Sequence, residues 1–176
     1  MLAALFITFL LFAPSQTTTE ISDAQKKTSI ELMKTLPVKG EFFTDEAVTK
    51  ADPYLPVLFA LTEKDIQEYD VYPFLALSRG LCNQWKHRDY ATRHFAEIRH
   101  QELKLFWGSI LFDEGPLSPE IVRFLGEALE SEKQSQILAE MLGPNYKAFQ
   151  RRVKAKRKAK GSVRGEHNKR LQLTAR

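Results

Sequence analysis

Between Thr35 and the basic C-terminal stretch, apolar residues recur at the i, i+3, i+4, i+7, i+8 spacing of a helix face, and they never alternate strictly with polar ones. Leu103, Phe106, Trp107, Ile110 and Leu111 fill all five places of that template. Leu105 and Phe112 add apolar surface on the other side, which predicts a central helix buried nearly all round. Ile121, Phe124, Leu125, Ala128 and Leu129 fill the template again, starting 18 residues later. In the intervening DEGPLSP, Gly115 and Pro116 end one helix, Ser118 is placed to cap the next, and Pro119 sits where its missing N–H costs nothing.

Other boundaries carry similar chemistry. Asp52 ahead of Pro53, Thr62 three residues before Asp65, and Ser131 three residues before Gln134 each offer a side-chain acceptor to orphan backbone N–H groups. Gly143 followed by Pro144 is a stop. The pattern predicts helices over 20–34, 53–61, 63–69, 72–83, 87–99, 101–113, 119–130, 133–142 and 145–157. Short helices with tight links do not make a long four-helix bundle, so the expected all-α fold is an orthogonal bundle or a short superhelical, HEAT-like stack of helix pairs. Residues 87–142 look most stack-like, although no residue-level repeat accompanies the spacing. The expected organisation is a signal peptide or membrane anchor at 1–15, a polar linker and first helix at 16–52, a helical domain at 53–157, and a disordered basic tail at 158–176.

Leu2 to Ala13 read LAALFITFLLFA, in which only Thr8 is polar. That is the length of a signal-peptide core and too short to cross ~30 Å of hydrocarbon comfortably. Ala13 and Ser15 supply small residues for a cut before Gln16, and no Cys follows to carry a lipid. No Lys or Arg precedes the run, whereas Lys26 and Lys27 lie after it, which keeps an uncleaved anchor, a mis-set start or a buried helix open beside a cleaved signal. The expectation is a secreted or extracytoplasmic protein, with membrane anchoring by residues 2–13 as the alternative.

The net charge of +4 conceals a split. Residues 151–176 hold eleven Lys and Arg against the single Glu166, so the first 150 residues carry a net −6. Any attraction to an anionic surface therefore belongs to Arg151, Arg152, Lys154, Lys156, Arg157, Lys158 and Lys160, binding phosphates by charge alone. As the end of a solvated helix the same run also complements the helix dipole. Disorder is expected beyond Lys160, where little remains to bury. The final NKRLQLTAR resembles tails that recur on otherwise unrelated predicted bacterial proteins, which implies read-through of a repeated DNA element and no selected function for those residues.

Catalytic constellations are incomplete. His87, His94 and His100 lie close along the chain, and Glu97 with His100 makes one E-x-x-H, but di-iron bundles need that pair twice and no second copy occurs. There is no H-E-x-x-H, Walker P-loop, G-x-G-x-x-G or G-x-S-x-G. On one helix, His87 and His94 would fall within ~20° of each other at the rim of the Ala91, Phe95, Ile98 stripe, which suits rings that pack and bond a neighbour. Asp89, Arg93 and Glu97 read as an ion-pair ladder. The lone Cys82 forms no intrachain disulfide and reads as a small core residue. The aromatic group Tyr69, Tyr72, Phe74 and the Phe106, Trp107, Ile110, Leu111 stripe read as core. No cofactor is implied. The expected function is a non-enzymatic protein-interaction scaffold with an unidentified protein partner. Electrostatic binding of nucleic acid or anionic lipid through the tail, and a metal-dependent enzyme using the histidine region, are the alternatives.

Overall fold

Side-chain caps decide where four of the helices begin. The protein is described by a computed structural model over residues 21–36, 38–39, 42–67, 70–114 and 118–159. Helix α1 (Asp23–Lys34) starts at a capping box, with the Ser22 hydroxyl accepting from the Gln25 N–H while Gln25 Oε1 accepts from the Ser22 N–H at 2.9 Å. A two-residue antiparallel hairpin follows, β1 (Val38–Lys39) and β2 (Phe42–Phe43), with Val38 opposite Phe43 and Lys39 opposite Phe42. Helix α2 (Asp45–Ala51) is capped by Thr44, whose hydroxyl accepts from the Ala47 N–H. A 3-10 turn, Asp52–Tyr54, leads into α3 (Leu55–Ala60), and α4 (Glu63–Ile66) opens with the expected Thr62–Asp65 capping box.

The next elements are α5 (Tyr72–Cys82), α6 (Trp85–Arg93), a 3-10 turn at Phe95–Glu97, α7 (Gln101–Glu114), α8 (Pro119–Ala128) and α9 (Glu132–Leu142). Gly143, at a φ of 51° that favours glycine, turns the chain into a final helix α10 over 146–159. The described protein is thus mostly helical, as the periodicity predicts, and among the described residues no helix is long and apolar enough to cross a membrane.

Helix α7 is the centre of the packing, in contact with α5, α6, α8 and α9. Leu103, Leu105, Trp107, Leu111 and Phe112 are all buried, as its two-sided apolar pattern predicts, while Phe106 and Ile110 are partly covered. Gly108 brings α7 close to its neighbours, since a Cβ there would lie 3.3 Å from the Phe95 ring and 3.4 Å from Leu125. Ile30 and Met33 of α1 and Val48 and Ala51 of α2 belong to the same core cluster as α7.

Several expectations are corrected. The continuous helix expected over 87–99 ends at Arg93, because His94 leaves helical geometry and the Arg99 N–H is given to the Phe59 carbonyl at 2.9 Å, a tertiary bond in place of a helical one. The break dissolves the expected ladder. Arg93 still pairs with Asp89 at 2.7 Å, but Glu97 turns to His94. Asp52 does not cap, its carboxylate being drawn to α6, and Ser131 makes no side-chain cap. Helix α2 and the hairpin occupy a stretch with no expected element between α1 and residue 53. Of the disordered tail expected over 158–176, Lys158 and Ala159 instead continue the last helix, while the residues from Lys160, the expected N-terminal segment 1–15 and Tyr69 lie outside the described residues.

Candidate functional site

The three histidines are separated rather than gathered, and each is held by a different carboxylate. His87 on α6 is buried, with Nδ1 2.8 Å from the Leu81 carbonyl and Nε2 2.7 Å from Asp52 Oδ1. Lys86 reaches the other oxygen of Asp52, so one carboxylate ties the 3-10 turn to α6 through two consecutive residues. His94 stacks on Tyr90 with centroids 4.2 Å apart and places Nδ1 2.8 Å from Glu97 Oε1.

His100, also buried, precedes α7. Its Nε2 lies 3.0 Å from Glu63 Oε2, while Glu63 Oε1 accepts the Gln101 N–H at 2.8 Å. Glu63 therefore sets a negative charge at the N-terminus of α7, where the helix dipole favours it. Among the described residues no group of three or more His, Cys, Asp or Glu is placed to hold a metal ion. Each ring bonds a neighbouring carboxylate, and those of His87 and His100 join separate elements.

Cys82 is buried at the end of α5 and donates to the Arg79 carbonyl at 3.0 Å. Burial, helped by the charge of Glu114, pushes its thiol up to about 11, far from the thiolate that nucleophilic chemistry needs. The Trp107 N–H, in the middle of the core, donates to Ser78 Oγ at 3.2 Å, which satisfies both buried polar groups.

The basic residues of α10 divide into two sets. Phe149 and Val153 are fully buried, with the Phe149 ring edge-on to Phe112 at 5.3 Å. Around them Arg152 makes a two-pronged pair with Asp113 of α7, at 2.9 and 3.0 Å. Lys156 lies 4.5 Å above the Phe112 ring, and Arg157 pairs with Glu130 and passes over Gly126. These three side chains hold the helix to the domain. Arg151, Lys154 and Lys158 face outward and are exposed, and Lys160 lies outside the described residues. The sequence reading grouped all seven as one run, because charge was counted without assigning the buried face of α10.

Two cavities flank α5, a feature with no sequence signal of its own. One, of about 280 Å³, is apolar, walled by Met33, Leu36, Phe43, Phe74 and Leu77, with Lys34 and Asp70 beside it. The other, of about 480 Å³, is more polar and includes Asp45, Thr49, Ala76, Arg79 and Asn83. Phe43 lines both, so they form one broken groove along the helix. A close approach of α2 supports that wall: a Cβ on Gly80 would lie 2.5 Å from Val48 Cγ2. Phe74 is core, as expected of the aromatic group, but Tyr72, beside Pro73 of the apolar cavity, is exposed. Compared with protein-family models, with curated proteins and with solved structures, the chain matches none.

Proposed function

We propose that this protein is a non-enzymatic helical scaffold, exported or membrane-tethered, that binds a segment of another protein in the groove along α5. The carrying observation is the groove itself: an apolar cavity of about 280 Å³ and a more polar one that share Phe43 as a wall. A partner presenting an apolar side chain to Met33, Phe43, Phe74 and Leu77 would bury it as an anchor. Asp45, Arg79 and Asn83 would then meet its flanking polar groups. The three histidines and the thiol each make a contact within the fold.

The arrangement favoured by the contacts is an orthogonal bundle around α7 rather than a HEAT-like stack, because α7 touches α5 and α9 as well as its immediate neighbours. The export or tethering part rests on the apolar run Leu2 to Ala13.

Ala76 lines the groove while remaining outside the buried core, so Ala76→Arg fills the groove without opening the interior. The full chain recovered from its native compartment should bring down a defined partner that the folded Ala76→Arg variant does not. Equal recovery by both proteins would end the proposal.

A further inference from the structure

The division of charge on α10 leaves a second surface unaccounted for by the groove. Lys147, Arg151, Lys154 and Lys158 follow the i, i+4, i+7, i+11 spacing, which places them within roughly 60° of arc and spreads them over roughly 16 Å of helix. All four are exposed, and none has a carboxylate partner among the described residues. Arg151 spends only its Nε, on the Lys147 carbonyl at 3.3 Å. Opposite them lie Phe149, Arg152, Val153 and Lys156, which fix the helix to α7. The four charges are therefore held in a straight row on a docked helix, with Ala148 and Ala155 along one side and Gln150 along the other.

We infer that this row seats the protein on an anionic phospholipid surface. A flat sheet of phosphates meets all four side chains at once, and opposite charge alone is enough to hold them there. The choice of lipid over nucleic acid rests on reading the apolar run Leu2 to Ala13 as a signal or an anchor, either of which would route the chain through or onto a membrane. Binding is electrostatic and shallow, since no large apolar side chain shares the face, and it falls steeply with salt.

The test compares sedimentation of the full chain with neutral phosphatidylcholine vesicles and with vesicles containing one third phosphatidylglycerol. Taking the difference between the two removes any contribution of the N-terminal apolar run. At low salt the anionic vesicles should bind more tightly, by about five-fold per basic side chain, so K147Q/R151Q/K154Q/K158Q should lose roughly several-hundred-fold of that preference while keeping its helical circular dichroism. A control with the same charge change elsewhere, K27Q/K50Q/K64Q/K133Q, should keep most of it. Preference retained in the first variant, or lost equally in both, overturns the assignment. So does a DNA duplex that binds more tightly than the anionic vesicles at the same ionic strength.

Discussion

Replacing Phe149 with Ala separates a docked α10 from a solvated basic appendage. The ring is completely buried and meets Phe112 edge-on at 5.3 Å. Burying a Phe side chain is worth about 1.5–3 kcal/mol, and an edge-to-face partner adds about 0.5–1.5 kcal/mol. With the cavity left behind, the expected loss is about 3–5 kcal/mol, a large share of the 5–15 kcal/mol that holds a typical domain. The Arg152–Asp113 pair cannot hold the helix alone, because its partners are about half and one third exposed, and such pairs contribute about 0–1 kcal/mol. Urea unfolding followed by circular dichroism measures the change, with the exposed Arg151→Ala as a comparator expected to stay within about 0.5 kcal/mol of the parent. A Phe149→Ala loss below about 1 kcal/mol would refute the docking of α10, and with it the separation of its basic residues into two sets.

Ser78→Ala leaves the Trp107 N–H without its acceptor in the core, and a loss of about 1–3 kcal/mol is expected in the same unfolding measurement. Burial works against ionisation of Asp65, yet hydrogen bonds from Thr62 and the charge of Lys26 hold its carboxyl below the ordinary range. A depressed carboxylate stabilises the fold above its unfolded-state pKa and ceases to do so as pH falls through its folded value. Asp65→Asn should therefore cost more stability at pH 7 than in acid, with the two proteins converging below about pH 4; a cost independent of pH would contradict this. Cys82, with its thiol pushed up to about 11, should resist an aromatic disulfide reagent at pH 8 in the native protein and react promptly once urea unfolds it.

Element type was legible wherever long apolar periodicity or a cap spelled it out. The α7 and α8 stripes, the Thr62–Asp65 box and Pro119 at a helix start all reappear in the fold. Helix α2 was marked only by Thr44 followed by Asp45 and Glu46, an N-terminal signal ahead of three buried positions, Ala47, Val48 and Ala51, that are too small or too few to make a conspicuous stripe. The end of α6 could not be read locally, because the competitor for the Arg99 N–H is Phe59, forty residues away in the chain. The rim expected for His87 and His94 assumed one helix through both, which ends at Arg93, and the carboxylates that hold His87 and His100, Asp52 and Glu63, come from distant segments. The α5 groove is likewise made by α1, β2 and α2 converging on one helix, and no single stretch encodes it. Lys147 is different: it stands in helical register with Arg151, Lys154 and Lys158 and was overlooked because the charge run was counted from residue 151.

The most direct test of the proposed groove is a photo-crosslinking amino acid placed at Thr49, an exposed residue of its polar half, in the full chain in its native host, with the same group at the exposed Glu127 of α8 as reference. The account expects one discrete protein adduct from position 49 that disappears when Ala76→Arg fills the groove. Adducts no different from those at position 127, or unaffected by Ala76→Arg, would contradict it.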